Sequence, residues 1–281
     1  MMSGTMAPSQ HPCATRLAFA SARIVHITMP PHEPDGYTST TEPFTIGISY
    51  TGHSKAIVDD GSGRATARAI EPGASSITSR RAVTWLRVAE PSEALEIRPS
   101  NAELSAVAHA LDADWIRDSA LVDAGRDPVI WGICTRYRRA ALGATPIDEL
   151  RSSELVHTLL VHVCIRHLGA REPRAARGRL DARRLARVTS MLESSLRDPP
   201  TLRPLASAAA LSPFHFQRLF RATTGLTPHQ YVMARRMEHA RALLIGSNTK
   251  VIDVAADLGF SDVAHFRRAF RRQFNRSPRA R

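Results

Sequence analysis

Cysteine and long apolar runs are scarce in this chain. Its 281 residues include only three cysteines, Cys13, Cys134 and Cys164, which lie far apart and form no CxxC motif. Neither a disulfide framework nor a structural zinc site is therefore expected. No segment has the roughly 20 apolar residues that a membrane-spanning helix needs, and the apolar run near the N-terminus is too short for a secretory signal. These absences predict a soluble protein of the cytoplasm.

The sequence motifs of common catalytic sites are also missing. The chain has no glycine-rich phosphate loop, no GxSxG motif and no pair of carboxylates at an informative spacing. We therefore predict no catalytic residue, no cofactor and no enzymatic activity.

Lysine is rare as well. Lys55 and Lys250 are the only lysines, and every other basic residue is an arginine. Arginine suits bidentate contacts to phosphate and guanine. The bias runs through both halves of the chain, however, which favours the codon preference of a genome rich in G and C as its cause.

Positive charge, by contrast, is abundant and unevenly distributed. The whole chain has 38 Lys and Arg against 26 Asp and Glu. From Arg171 to the end there are 22 basic and 8 acidic residues, a balance of +14, whereas the preceding part has 16 basic and 18 acidic residues, a balance of −2. This asymmetry indicates a polyanionic partner for the C-terminal part, with nucleic acid favoured over an anionic membrane surface.

The remaining composition divides the chain into segments. Residues 1–18 are rich in Met, Ser, Pro and Thr and are predicted to be a disordered tail. Between 44 and 98, short apolar runs with β-branched residues alternate with turn signals, which is typical of an antiparallel β-meander or a small barrel. We assign 19–168 to a β-rich domain with C-terminal helices, and 169–179 to a linker.

Helical patterns follow the predicted strands, at 101–111, 128–142 and 147–168. The last of them has a broad apolar face, formed by Leu155, Val156, Leu159, Leu160 and Val163. Such a face can pack within its own domain or against a second copy of the chain, so we predict a homodimer formed through the N-terminal half.

The C-terminal part contains an internal repeat. The segment 205–228 is similar to the segment 254–278, and each copy reads as a short helix, a tight turn, an N-cap residue (Ser212 or Asp262) and a second helix. This is the form of a helix-turn-helix unit, whose second helix enters a major groove of DNA.

The two predicted units, at about 202–224 and 251–274, are separated by a helix that begins with Thr227 as its N-cap. About 17 residues of helix span roughly 25 Å, and neighbouring major-groove faces lie about 34 Å apart along DNA. The two second helices are therefore expected to enter consecutive turns of one DNA face.

An aromatic stripe and a basic stripe run along the second helix of the second unit. Phe266, Phe270 and Phe274 recur every four residues, with arginines between them. Because residues four apart lie on one face of a helix, the phenylalanines are predicted to be core and the arginines to face outward.

Residues from about Leu180 to Arg281 resemble the AraC/XylS family of bacterial transcription regulators. The similarity is carried by LSPFHFQRLFRATTGLTPHQYVMARRMEHARALL followed by VIDVAADLGFSDVAHFRRAFRRQFNRSP. The resemblance implies that 180–281 is a DNA-binding domain of two helix-turn-helix units joined by a linking helix, with each subunit binding asymmetric DNA across two major grooves.

By position in the family's motif, the DNA-contacting residues fall on the second helix of each unit: Phe214, Gln217, Arg218 and Arg221 in the first, and Val263, Ala264, Arg267, Arg268 and Arg271 in the second. Gln217 and Arg218 are the first candidates for base readout. Arg267 and Arg268 follow, and phosphate contact is the alternative for either. Because Val263 and Ala264 replace residues that are often polar, the second unit is expected to contact thymine methyl groups or mainly phosphate.

Two further positions depart from the family pattern. Ala210 and Asn275 stand where the family usually has glycine, in the first turn and after the second recognition helix. Asparagine adopts a left-handed backbone readily and alanine less so, so strain is expected at Ala210.

In the N-terminal half the sequence looks like the cupin-type sensor domains of the family, which implies a small-molecule effector. The cupin metal pattern, a histidine pair with a glutamate and a later histidine, is absent. His157, His162 and His167 are five residues apart, a spacing that scatters side chains around a helix, so no metal site is predicted.

The predicted fold class is α+β: an N-terminal small β-barrel or cupin-like domain with helices, then an all-α domain of two helix-turn-helix units. The predicted function is sequence-specific DNA binding by a bacterial transcription regulator at the nucleoid, an activator rather than a repressor. Its expected partners are promoter DNA, RNA polymerase, an effector and a second copy of the chain. Two alternatives stay open, a cupin-like enzyme with a basic nucleic-acid-binding tether and a non-specific DNA-binding protein.

Overall fold

The computed structural model describes residues 13–30, 37–88, 90–111, 121–171, 178–246 and 249–278. Its contacts divide the chain into two compact units. Of the described residues, the β unit comprises 13–18, 22–30, 37–88, 90–100 and 121–142, and the helical unit comprises 19–21, 101–111, 143–171, 178–246 and 249–278. The boundaries that we predict for the functional domains, at 168 and 180, stay a prediction.

The β unit contains ten strands within the described residues: β1 (Cys13–Ala18), β2 (Ala22–Met29), β3 (Tyr37–Thr41), β4 (Ile46–Ser49), β5 (His53–Asp59), β6 (Ala65–Ile70), β7 (Ser75–Thr78), β8 (Val83–Val88), β9 (Ser92–Pro99) and β10 (Leu121–Gly125). They form a sheet of order β1-β2-β9-β4-β7-β10, sheet A, and a sheet of order β3-β8-β5-β6, sheet B. The fold class predicted from the sequence, a β-rich N-terminal part before an all-helical C-terminal part, is confirmed.

These strands do not form the predicted meander. From β2 to β5 the chain alternates between the two sheets, and only β1–β2 and β5–β6 are neighbours both in sequence and in a sheet. Turn signals in the sequence mark where a strand ends but carry no information about its partner, which explains the difference.

The predicted disordered tail also needs a correction. Residues 13–18 form β1, which pairs with β2 along its whole length, from Cys13 opposite Thr28 to Ala18 opposite Arg23. These hydrogen bonds lie between backbone groups, so composition alone does not reveal them. Residues 1–12 of that prediction lie outside the described residues.

One face of sheet A is apolar and carries a helix. Direct cross-strand partners face the same side of a sheet, and the row Ile24, Ile97, Ile46 and Ile77 is almost completely buried. The helix α2 (Pro128–Ala141) contacts β1, β2, β4 and β9. Its Arg138 donates two hydrogen bonds of 2.6 Å to Glu93, which fixes the helix on this sheet.

The helical unit contains α1 (Asn101–Leu111), α3 (Glu149–Arg166), α4 (Ala182–Ser194), α5 (Leu202–Ala208), α6 (Pro213–Thr224), α7 (Pro228–Gly246), α8 (Val251–Asp257) and α9 (Val263–Phe274). The helix α4 is not among the helices predicted from the sequence. Two separate cores are present: one includes Phe216, Phe220 and Val232, and the other includes Met237, Phe266 and Phe270.

The broad apolar face of α3 is buried within a single chain. Its five apolar residues are at most 5% exposed, and α3 contacts α1, α5, α6 and α7. This face is therefore not available to a second copy, and the predicted homodimer requires another surface.

Of the helices that the structure describes, none is long and apolar enough to cross a membrane.

Candidate nucleic-acid interface

The first helix-turn-helix unit consists of α5 and α6. Ser212 has an extended backbone before α6, and its hydroxyl accepts a hydrogen bond of 3.4 Å from the His215 N–H. Pro213 occupies the first turn, where the absence of an N–H costs nothing. Phe216 and Phe220 are fully buried, and together these features fix the start and the rotation of α6.

The second unit, α8 and α9, is built in the same way. The Asp262 carboxylate caps α9 by accepting hydrogen bonds from the N–H groups of Ala264 (2.8 Å) and His265 (3.0 Å). These bonds, the one from Ala264 first, lower the pKa of Asp262, because they stabilise the charged carboxylate. Phe266 and Phe270 are buried, so the predicted division of α9 into an aromatic core stripe and an outer basic stripe is confirmed.

Left-handed backbone conformations occur in both units where the family pattern predicts them. Ala210, in the turn before α6, has φ 52°, and Asn275, after α9, has φ 53°. The position equivalent to Ala210 in the second unit is Gly259, with φ 78°. A Cβ at Gly259 would lie 2.2 Å from the Arg197 carbonyl oxygen, so only glycine fits there.

The four candidate residues of α6 share one face of the helix, because they are separated by three or four positions. Arg218 and Arg221 are exposed, while Phe214 and Gln217 are partly exposed. Neither guanidinium group makes an ion pair or a hydrogen bond with any residue that the structure describes. This face therefore offers two guanidinium groups and one amide to a ligand, and its contact with DNA stays a prediction.

The candidate residues of α9 also lie together, but their arginines differ. Arg267 is exposed and has no polar partner among the described residues. Arg268 lies 3.7 Å from the Asp262 carboxylate and 3.5 Å from the Ala144 carbonyl oxygen, and Arg271 donates to the Ser277 hydroxyl at 3.1 Å. Among the three candidate arginines of α9, only Arg267 has a guanidinium without a polar partner in the part of the chain that the structure describes.

The two remaining candidates of α9 are small. Ala264 is exposed, whereas Val263 is partly buried and packs against the core of the second unit. Neither side chain can donate or accept a hydrogen bond, so any contact with a base is limited to apolar groups such as the thymine methyl.

The helix α7 connects the two units and belongs to both cores. Its Val232 lies in the first core, and Met233, Met237, Ala240 and Leu244 lie in the second. Its 19 residues span about 28 Å. A capping box begins the helix: the Thr227 hydroxyl accepts from the Gln230 N–H, and the Gln230 side chain accepts from the Thr227 N–H. The predicted N-cap Thr227 is confirmed.

The same end of α7 is held by a buried acid that the sequence patterns do not reveal. Glu154 of α3 is 2% exposed, and its carboxylate accepts hydrogen bonds from the His229 N–H (2.8 Å), the Thr227 hydroxyl (3.2 Å) and Arg151 (3.1 Å). Burial raises the pKa of Glu154, and these partners oppose the rise. A carboxylate at this position also interacts favourably with the positive end of the helix dipole.

A second unpredicted residue, Arg236 of α7, is one of the few buried arginines. It is 3% exposed and donates to the carbonyl oxygens of Leu196 (2.6 Å) and Arg197 (3.2 Å), and it lies 3.5 Å from the Asp148 carboxylate. Arg236 follows the buried Met233 by three positions, a spacing that places it on the buried face and that the sequence does show. It ties α7 to the end of α4 and is not available to DNA.

The histidines of α3 are placed differently from the prediction. The ring centroids of His162 and His167 lie 5.9 Å apart. The helix ends at Arg166, and His167 follows as its C-cap, so the spacing rule for a continuous helix does not apply to this pair.

The sequence of the interface matches known proteins. A family model described as a helix-turn-helix domain matches residues 205–280. The HTH-type transcriptional activator RhaS of Escherichia coli O157:H7 (strain EC4115 / EHEC) is 40% identical over 98 residues, which cover 35% of this chain and 35% of the relative. The match thus spans about a third of the length of the curated relatives.

Similar solved structures include a transcriptional regulator with an AraC-type DNA-binding domain from Chromobacterium violaceum, 27% identical, covering 34% of this chain and 85% of that chain with a TM-score of 0.33. The DNA-binding domain of AdpA, a global transcriptional factor solved in complex with a target DNA, is 34% identical and covers 34% of this chain and 87% of that chain, with a TM-score of 0.32. TM-scores this low do not establish a shared overall structure. The family match over residues 205–280 and the identity with RhaS show that the C-terminal part of this chain contains a helix-turn-helix domain of the AraC type.

Proposed function

We propose that the protein is a sequence-specific DNA-binding transcription regulator of the bacterial cytoplasm, located at the nucleoid. The observation that carries the proposal is the duplicated interface. Two second helices, α6 and α9, each present exposed residues at matching positions, and one rigid helix joins their cores. The balance of +14 from Arg171 onward supports a phosphate-rich partner.

In this proposal the first unit reads bases and the second mainly positions the protein. Gln217 and Arg218 have the donors and acceptors that adenine and guanine edges require. The face of α9 instead combines Arg267 with the apolar Val263 and Ala264, which fits phosphate contact and thymine methyl groups.

The relative RhaS is named a transcriptional activator, which supports activation over repression. RNA polymerase is accordingly a proposed partner. A small-molecule effector in the β unit and a homodimer complete the proposal, with a dimer surface other than the buried face of α3. The residues that carry the function bind DNA, and we assign the protein no catalytic step.

Selection from a random DNA pool with the purified full chain, at physiological salt, tests the proposal. We expect an enriched motif, and an affinity for it at least about a thousandfold higher than for random DNA. Strong binding without enrichment, and with equal affinity for the two kinds of DNA, would show a non-specific binder and overturn the proposal.

A further inference from the structure

The β unit encloses a cavity between its two sheets, and the residues that line it indicate which ligand it can bind. The cavity has a volume of about 130 Å³. A cavity of about 150 Å³ in a protein core holds a molecule of the size of benzene. The inference below rests on the proposed function, in which an effector binds the β unit, and it names the chemistry of that effector.

The floor of the cavity is a polar row across sheet A. Pairing between the strands places Glu96, Gly47, Ser76 and Asp123 side by side, on the face opposite to the apolar row under α2. All four line the cavity. A Cβ at Gly47 would lie 3.3 Å from the Ser76 hydroxyl oxygen, so the glycine keeps the space beside Glu96 open.

A chain of hydrogen bonds fixes Glu96 as an acceptor. The Trp85 indole N–H donates to the Thr41 hydroxyl oxygen at 3.1 Å, and the Thr41 hydroxyl lies 2.6 Å from Glu96 Oε1. An indole N–H can only donate, so the Thr41 oxygen accepts from it and the Thr41 proton points to Glu96. The second carboxylate oxygen, Oε2, makes no hydrogen bond with any residue that the structure describes.

No cation among the lining residues balances this carboxylate. His53 is buried, and burial lowers its pKa against the opposing effect of Glu90, which lies 3.6 Å from it. Arg68 lies exposed on β6, the edge strand of sheet B, and forms no ion pair with Glu96. Burial raises the pKa of Glu96, because a carboxylate removed from water without a counter-charge is costly.

The rest of the lining is largely apolar. Ile27 and Leu121 come from sheet A, and Ile70, Val88 and the Trp85 ring come from sheet B. We propose that this cavity binds an organic amine, whose protonated nitrogen donates to Glu96 Oε2 and whose aromatic or aliphatic body packs against Trp85 and the surrounding aliphatic side chains. The charge-assisted hydrogen bond would satisfy the open acceptor, and the Trp85 ring suits a cationic ligand.

Calorimetric titration of the full chain at pH 7 with three probes of one shape tests the proposal: 2-phenylethylamine, 2-phenylethanol and 3-phenylpropanoate. We expect the amine to bind about tenfold more tightly than the alcohol or the acid, or better. Glu96→Gln should weaken amine binding by a similar factor and leave the alcohol unchanged. Glu71→Gln is the matched control, since this glutamate of the β unit is exposed and does not line the cavity, and it should not affect amine binding.

The proposal is overturned if the acid or the alcohol binds as tightly as the amine, if no amine binding is detected, or if folded Glu96→Gln binds the amine like the parent protein. An unfolding midpoint and a DNA titration establish that the variant is folded. Because the probes are titrated without DNA, a negative result leaves the DNA-binding proposal standing, and loss of the DNA-binding proposal leaves the cavity result standing.

Discussion

At the turn between the two helices of each helix-turn-helix unit, a single residue has a left-handed backbone. Gly259 holds this conformation in contact with the backbone of Arg197, whereas Ala210 holds it on the exposed surface. An L-residue with a Cβ is strained there by roughly 1–2 kcal/mol. The second unit therefore requires glycine at this position, because the backbone of Arg197 leaves no space for a Cβ. The first unit tolerates alanine there, because its turn is exposed.

This difference predicts opposite effects of exchanging the two residue types. Ala210→Gly should raise the free energy of unfolding by roughly 0.5 kcal/mol, since relief of strain exceeds the added freedom of the unfolded chain. Gly259→Ala should lower it by at least about 2 kcal/mol, because the backbone of Arg197 must move. Denaturant titrations of the two variants measure both values. Equal and small effects would show that the close approach to Arg197 does not exist.

Arg218 is the residue at which base readout is tested most simply, because it is exposed and has no polar partner among the described residues. Arg218→Ala should weaken binding to the selected site by about 1–3 kcal/mol and relax the preference at one base pair. Arg183→Ala, which removes the same charge from an exposed position of α4, is the matched control. It should weaken binding to all sequences slightly and equally. Identical effects of both substitutions on specific and random DNA would remove Arg218 from the reading residues.

At the scale of elements, α3 is part of the scaffold of the DNA-binding helices. Besides Glu154 at the start of α7, its Ser153 hydroxyl accepts a hydrogen bond of 3.0 Å from the Leu202 N–H at the start of α5, and Leu150 lies in the first core. One helix from outside the matched family segment thus caps α7, which lies inside the segment, and α5, which begins three residues before it. This arrangement links the position of α3 to the orientation of α7.

Replacing the capping acid tests this role. Glu154→Gln keeps the shape but removes the charge and places a donor where acceptors are needed, so we expect the free energy of unfolding to fall by about 1.5–3 kcal/mol. Glu238→Gln, at a half-exposed position of α7 itself, serves as the control and should change it by less than about 0.5 kcal/mol. If the two variants unfold at the same denaturant concentration, Glu154 does not hold α7 in place.

The elements with local signals are those that the sequence predicts well. The bounds of α1 agree with the predicted 101–111, and the units predicted at 202–224 and 251–274 coincide with α5 to α6 and α8 to α9. Here apolar spacing, N-caps and the glycine or asparagine that ends α6 and α9 all agree. By contrast, the short strands β7 and β10 have weak local patterns, and their positions depend on partners distant in sequence. The helix α4 does have local signals, the N-cap Asp181 and the buried Val188 and Leu192, but it is not among the predicted helices.

In the candidate site, too, the features with a local sequence signal are predicted and those that depend on distant residues are not. The faces of α6 and α9 follow from helical spacing, which local sequence contains. The burial of Arg236 and the cap from Glu154 depend on carbonyl groups and helix ends that lie 40 to 75 residues away. Arg236 is one of the 22 basic residues counted from Arg171 onward, yet its hydrogen bonds place it inside the scaffold.

At the scale of the whole molecule, the distribution of charge and the duplicated interface predict that the protein binds two half-sites at a fixed spacing on DNA. The helical unit holds two recognition helices on two cores that share α7, so both can engage one duplex only if their two half-sites lie on the same DNA face. The spacing between the half-sites is then a property of the protein and not of the selected bases alone.

Measuring binding to the selected site with altered spacing tests this central claim most directly. Base-interference mapping should show two blocks of contact with centres about 10 base pairs apart. Inserting about 5 base pairs between the blocks, roughly half a helical turn, should reduce the affinity to that of a site with one block. A single block of contact, or an affinity that does not depend on the inserted half turn, would contradict the account.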